Sequence, residues 1–359
     1  MRFSTAVFTA RSVESLADGS FLVRFVETDI PAVGYKGLVS GVEPGDLLLV
    51  NTTAVEMGLG TGGYHFVIAN LTKPASRSVD DGHIVKLRYT PLQHARPVVE
   101  ELDAYRAREN ETVTGDVFVT LLHSQIAPLV VALRKRAGRR RVCVIIDENC
   151  ALPASFSTNL AALKRKGYVD TVITAGNAFG GDLEAINRYS AIVAAKTVVE
   201  ADAIVIGPGP GMPGTASTLG NGAVYAADAI NAAAALGATA FLVARGSAAD
   251  RRERHRGVSH HTLTAARLAL GAIRIVLPDD ASMAGFGNEV RELLTNALDE
   301  LARLPRAEVV RVNVAGWRSL LENDAELMRT MGRGLAEDPL FFCLSVAPAY
   351  AVGAGGEGA

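Results

Sequence analysis

Val117-Phe118-Val119-Thr120-Leu121-Leu122, and then Val142-Cys143-Val144-Ile145-Ile146, are the two runs that decide the fold. Neither alternates polar and apolar residues, as a strand with one wet face does. Each therefore predicts a strand buried on both sides. Runs of the same kind recur at 171–174, 203–206, 240–243 and 273–277. Between them lie segments of helical length, rich in Ala and Leu, at 126–137, 157–166, 183–198, 224–236 and 262–270. Repeated strand-then-helix units predict a doubly wound, mostly parallel (Rossmann-like) α/β sheet with right-handed crossovers. A further strand at 309–314, with helices near 288–304 and 323–335, is expected to close one edge.

Upstream the texture differs. The segments 3–8, 21–26, 47–50, 64–69 and 83–89 are short, and turn residues such as Glu43-Pro44-Gly45-Asp46 separate them. Such punctuation predicts a small all-β, barrel-like domain. The expected organisation is a barrel-like domain over 1–91, a charged linker over 92–115, the α/β domain over 116–340 and a tail over 341–359. The small, Gly-rich end of that tail, 353–359, is expected to be flexible.

The chain has 359 residues, 49% hydrophobic and 21% charged, enough for two domains. Its formal net charge of −2 supplies no field that would draw it to nucleic acid or an anionic membrane. The basic cluster Arg134, Lys135, Arg136, Arg139, Arg140 and Arg141 falls at a helix C-terminus, where the helix dipole and solvation account for it. Cys143, Cys150 and Cys343 are too few and scattered for a disulfide framework or a structural zinc site, which fits a reducing compartment. Arg11, Glu14 and Asp18 interrupt any secretory apolar region, and no stretch reaches the roughly 18 apolar residues of a membrane span. A cytoplasmic protein with neither membrane nor nucleic-acid partners is expected, with a homo-oligomer left open.

In an open parallel sheet, ligands bind outside the carboxyl ends of the strands. The loops expected there carry His123-Ser124-Gln125, then Asp147-Glu148-Asn149-Cys150, then Gly176 through Asp182. A Gly/Pro-rich loop over 207–215 follows the fourth strand, and Arg245 with a basic run over 250–262 follows the fifth. The loops expected at the opposite edge are shorter and plainer. This asymmetry is the main functional pointer.

Gly209, Gly211 and Gly214 match G-x-G-x-x-G, a pattern that lets backbone N–H groups close on a phosphate. Pro208, Pro210 and Pro213 remove donors from that loop, the next helix starts only near Asn221, and the following strand ends in Ala244-Arg245 rather than an acid. An NAD-type site is therefore not expected. An anion-binding loop and a purely structural loop both fit. Arg252, Arg254 and Arg256, with His255 among them, suit recognition of phosphate or carboxylate, against the plainer reading of a solvated charged loop. Ser259 is expected as an N-cap with His260 and His261 in the first helical turn, held neutral by the positive end of the dipole. Adjacent helical residues point about 100° apart, so one of the two is expected to face the site.

His123 is a candidate general base, whereas Ser124 reads as an N-cap because no G-x-S-x-G elbow surrounds it. Asp147 and Asp182 suit proton transfer or metal binding, and Asp182, behind Gly180 and Gly181, also fits an N-cap. A divalent metal drawn from Asp147, Asp182, His123, His255 and one of the His260 pair is a further expectation, although no H-E-x-x-H, Walker or EF-hand pattern occurs. In the first domain, residues 58–65 read as a long turn or a flap, with Tyr64 and His65 supplying contacts.

Several of these motifs occur together in one known family. Asn51-Thr52-Thr53-Ala54-Val55, the segment 59–66, His83 with 86–93, Leu122-His123-Ser124, Ala178-Phe179-Gly180-Gly181-Asp182 and the segment 252–261 stand in order. With them the chain resembles the bacterial family labelled domain of unknown function 3866. The resemblance covers most of residues 1 to about 278 and implies no activity, so it assigns no catalytic residue. The residues themselves favour an enzyme acting on a small anionic substrate, phosphorylated or nucleotide-like. Ser124, Gly180, Gly181, the three loop glycines, Arg252, Arg254, His255, Arg256 and His261 would bind it. His123 or His260 would serve as base, with Asp147 or Asp182 as orienter or metal ligand. A non-catalytic small-ligand sensor and an RNA-associated factor are the alternatives.

Overall fold

A computed structural model describes residues 2–17, 19–39, 41–59, 62–73 and 82–353. The flexible end expected beyond Gly353 lies outside these residues, as do Gly60 and Thr61 of the expected flap.

The first strands are β1 (Thr5–Ala17), β2 (Ser20–Phe25), β3 (Ala32–Tyr35), β4 (Leu47–Asn51) and β5 (His65–Asn70). They close into a barrel in the order β1-β2-β3-β5-β4. One strand serves two neighbours: β1 pairs with β4 through Thr5–Thr9 and, from Ala10 on, with β2, its register shifting between Ala10 and Ser12 and between Ser15 and Ala17. Inward-facing Val23, Phe25, Leu48 and Val50 fill the barrel. Gly34 is required because a Cβ there would enter the Phe21 ring. His65 is buried in β5 beside Phe8, with ring centroids 6.0 Å apart, so it is a barrel residue rather than a flap contact.

A two-stranded ribbon follows, β6 (Ile84–Lys86) with β7 (His94–Arg96). The expected strand over 83–89 is thus shorter, and its far half is the ribbon's loop, where Leu87 and Tyr89 take positive φ. Lys86 is 1% exposed and drives its Nζ into the edge of the second domain, 2.6 Å from Glu184 Oε2 and 3.2 Å from the Thr174 carbonyl oxygen. Burial pulls the Lys86 pKa down and the Glu184 carboxylate opposes it. The ion pair anchors the ribbon against the main sheet.

That sheet contains β8 (Asp116–Thr120), β9 (Val142–Asp147), β10 (Thr171–Ala175), β11 (Leu183–Ala185), β12 (Ala203–Pro208) and β13 (Thr239–Val243). A short hairpin of β14 (Gly246–Ser247) and β15 (Gly257–Val258) precedes its last members, β16 (Ile273–Pro278) and β17 (Ala307–Val312). The order is β11-β10-β9-β12-β8-β13-β16-β17, and the eight strands are parallel. The fold is therefore a small barrel followed by a doubly wound parallel sheet. Solid apolar runs are what two covered faces demand. Ile126–Lys135, Thr158–Arg165 and Pro339–Val346 cover one face, and Arg188–Thr197, Tyr225–Ala235, His260–Leu268 and Asn288–Ala302 cover the other.

Two expectations need correction. The helix expected over 183–198 begins only at Arg188, because Leu183–Ala185 adds an edge strand beside β10. Over 323–335 only the single turn Ala325–Leu327 is helical; the longer helix there is Trp317–Glu322. Cys143 is a core residue, fully buried. The basic cluster at 134–141 sits at the amino edge of the sheet, where Arg134 pairs with Asp170, Arg139 with Asp116 and Arg141 with Glu200. Among the described residues, no helix is long and apolar enough to cross a membrane.

Candidate functional site

After β8 and β9 the chain turns to one face of the sheet, and after β12 it turns to the other. Neighbouring strands β9 and β12 thus lead to opposite faces, the switch point at whose carboxyl-end crevice open parallel sheets bind ligands. Three loops meet around one ring there. His123, just past β8, has Nδ1 2.9 Å from the carbonyl oxygen of Pro208, the last residue of β12. Its Nε2 is 2.6 Å from Ser157 Oγ, on the segment that follows β9. A carbonyl only accepts, so Nδ1 carries the proton and Nε2 is bare. The Ser157 hydroxyl therefore donates to Nε2. Ser157 Oγ also accepts from Leu160 N at 3.0 Å, which makes Ser157 the N-cap of Thr158–Arg165. Burial lowers the His123 pKa, partly offset by the Pro208 hydrogen bond, so the ring is neutral.

Ser157 opens onto a small cavity of about 110 Å³, lined also by Ser155, Lys164, Gly180, Gly181 and Asp182. Lys164 is ion-paired with Asp182, whose other oxygen accepts from Val172 N at 2.8 Å. Asp182 therefore ties two strands together instead of capping a helix; Asn187 caps the helix that follows. Gly180 N donates to Glu184 and Gly181 N to Thr174 Oγ1. Asp147 lies buried at the end of β9 with Arg188 Nε 3.0 Å away. Burial raises its pKa and Arg188 opposes the rise.

A larger pocket of about 630 Å³ lies beside this crevice, between the loop of the β6–β7 ribbon and the loops after β9 and β10. Arg88, Tyr89, Glu148 and Asn177 line it, and Tyr89 is 99% exposed. Glu148 Oε2 accepts from both the backbone and side-chain nitrogens of Asn177, at 2.6 and 2.9 Å.

The Gly/Pro loop after β12 packs on the loop after β9. Ala151 N donates to the Pro210 carbonyl at 2.9 Å, and a Cβ on Gly209 would strike the Ala151 carbonyl. Close backbone approach explains Gly209. Gly211 takes a φ of +80°, and Gly214 bridges to Asn221.

The basic segment after β13 forms a second centre. Buried Arg245 brings Nη1 to 2.6 Å from His261 Nδ1. His255 Nδ1 lies 2.7 Å from Ser259 Oγ, and Ser259 caps the helix that begins at His260. The rings of His255, His260 and His261 pack together, with centroids 4.3 to 5.0 Å apart. Both members of the pair thus face the same place, contrary to the single inward histidine expected. The reason is that His255, on the turn Glu253–His255, lies over the first turn of the helix, where both rings reach it. Burial, then the charge of Arg245, pushes His255 and His261 down to about 3. Burial also lowers Arg245 to about 10. Arg252 forks onto Asp250 at 3.0 and 2.9 Å, Arg256 pairs with Glu289, and Arg254 is exposed near His260.

The sequence-derived set thus divides. His123 sits in the crevice, with Asp147 at the β9 tip and Asp182 in the Ser157 cavity, whereas His255, His260 and His261 group around Arg245. Ser124 is a link toward the C-terminal region rather than a cap: its Oγ is 3.1 Å from Thr330 Oγ1, and Gln125, at the N-cap position, makes no side-chain cap bond and instead accepts from Leu121 N and Leu122 N. Arg333, which pairs with Thr330 through the backbone, joins the fully buried Asp338. Asp338 in turn accepts from Ser247 at 2.7 Å. Sequence reasoning missed Ser157, Arg188 and Asp338. Only Ser157 left a signal, as a hydroxyl residue at the start of an expected helix.

A family model described as "Protein of unknown function (DUF3866)" matches residues 31–349. That span takes in the C-terminal region that the recognised motifs did not reach. No curated protein and no solved structure matches the chain.

Proposed function

The chain belongs to this family of unknown function, and we propose from the geometry that it is a hydrolase or transferase in which Ser157 is the nucleophile and His123 the general base. One observation carries the reading: Pro208 fixes the His123 tautomer so that bare Nε2 accepts the Ser157 hydroxyl at 2.6 Å. A nucleophile, a base and a third group that orients the base form the minimal acyl-transfer unit. Here a carbonyl orients the base where other enzymes use a carboxylate.

In the step this implies, Oγ attacks an electrophilic carbon or phosphorus while its proton passes to Nε2. The imidazolium keeps its Nδ1–H on Pro208 and returns the other proton to the leaving group. The first-turn N–H groups of Thr158 and Asn159 have no intrahelical acceptor and would serve as the donors to the negative charge that develops. The cavity of about 110 Å³ beside Ser157 suits a small substrate group.

The test is a fluorophosphonate, a general serine-directed reagent, applied to the full chain and mapped by peptide mass. One adduct, on Ser157, is expected. It should vanish in S157N, where asparagine still caps the helix, and in H123Q. Because burial keeps His123 neutral, the labelling rate should hold steady from pH 8 through the ordinary histidine range near 6.5 and fall only below it. A protein that stays unlabelled at Ser157, or that labels equally well as H123Q, rules the reading out.

The pocket lined by Arg88, Tyr89, Glu148 and Asn177 supports a second reading, a small-ligand sensor, since it offers a cation, an exposed ring and an amide without a nucleophile. Thermal stabilisation by a metabolite with no turnover would favour it.

A further inference from the structure

The histidine centre at the end of β13 stands apart from the Ser157 reading, and neither needs the other. We propose that His255, His260 and His261 form a site for a first-row divalent transition metal, with zinc the fitting ion, and that Arg245 guards it. One ring nitrogen from each histidine lies within 4.8 Å of the others. A tetrahedral ion with bonds of about 2.0–2.1 Å sets its ligands roughly 3.4 Å apart, so side-chain rotation closes the set. His260 Nε2 supplies the second pointer: it is buried and has no hydrogen-bond partner among the described residues. An unpaired buried ring nitrogen costs free energy that a bound cation recovers.

The outer partner is in place for His255. Ser259 Oγ occupies its Nδ1 and leaves Nε2 for a metal, and Ser259 is itself held as a helix N-cap. Three neutral imidazoles select zinc, copper, nickel or iron over the hard cations magnesium and calcium. Three protein ligands with an open fourth position are the pattern of a catalytic rather than a structural zinc site.

Arg245 sets the condition for entry. Its guanidinium donates to His261 Nδ1 at 2.6 Å and keeps its charge in a protein. A metal on that nitrogen displaces the arginine, and a metal on Nε2 moves the ring proton to Nδ1, which then no longer accepts; in either case Arg245 must let go. Metal entry thereby frees Arg245 to face an anionic fourth ligand.

The test uses the full, untagged chain, stripped with chelator and titrated with Co²⁺ alone and then Zn²⁺ alone. We expect one Co²⁺ per chain with the strong visible absorption of a tetrahedral site, bleached by Zn²⁺. H260A should lose at least tenfold in Co²⁺ affinity while the metal-free protein melts as wild type does. If H260A does not fold, H260Q keeps much of the side-chain volume and the same comparison decides. R245Q should bind Co²⁺ several-fold more tightly than wild type. A wild-type chain without a stoichiometric band, or a histidine variant that binds as well as wild type, overturns the site. Equal affinity in R245Q overturns the guard.

Discussion

His123 is one of seven histidines, and its ring is the hinge of the proposed chemistry. Its lowered pKa also ties it to stability. Unfolded histidine takes up a proton near pH 6.5, whereas folded His123 resists until lower pH. Between those values the unfolded chain binds more protons, so stability is full above about 6.5 and drains as pH falls from there toward the folded value. The melting temperature of the wild type should therefore drop between pH 7 and pH 5, and H123Q should show a smaller drop; equal drops would mean that His123 ionises as freely folded as unfolded. Ser157 has a second duty as N-cap. S157A should cost about 0.5–2 kcal/mol in denaturant unfolding, and S157N much less. His123 was legible from sequence because it stands directly behind an apolar strand. Ser157 was not, because it enters the site through a helix cap beyond an intervening loop whose path no local pattern records.

At the scale of elements, the β6–β7 ribbon depends on one buried ion pair. Lys86 and Glu184 are 1% and 7% exposed, and Thr174 and Gly180 complete the carboxylate's hydrogen bonds. K86M leaves that carboxylate buried without its cation and should cost about 3–5 kcal/mol. The double variant K86M/E184Q should recover much of the loss, which a denaturant cycle measures. The central strands add side-chain packing to their ladder hydrogen bonds. Phe118 on β8 stacks on Phe241 of β13 with centroids 4.9 Å apart, fully buried, so F118A should cost about 3–5 kcal/mol. These strands were readable because burial on both faces leaves an unbroken apolar run. Leu183–Ala185 and His94–Arg96 were not, since three-residue strands carry no period and owe their state to a neighbour.

Across the whole molecule, the sheet order brings distant segments to one rim. The first helix of the α/β region leaves β8, yet β12 inserts between β8 and β9 and carries Pro208 to His123. The parallel run of the strands followed from the apolar runs. The division into a Ser157 crevice and an Arg245 centre did not, because it depends on which loops cross-link, as at Ala151 with Pro210 and Ser247 with Asp338. The family match over 31–349 spans the sheet and both centres. The most direct measurement is the ¹⁵N spectrum of the imidazoles in the full chain at pH 7, with His123 assigned by comparison with H123Q. Nδ1 bearing the proton and Nε2 bare, with the Nε2 signal moving in S157N, is the expected result. A proton on Nε2, or a charged ring, would contradict the convergence of β8, β9 and β12 on a working base.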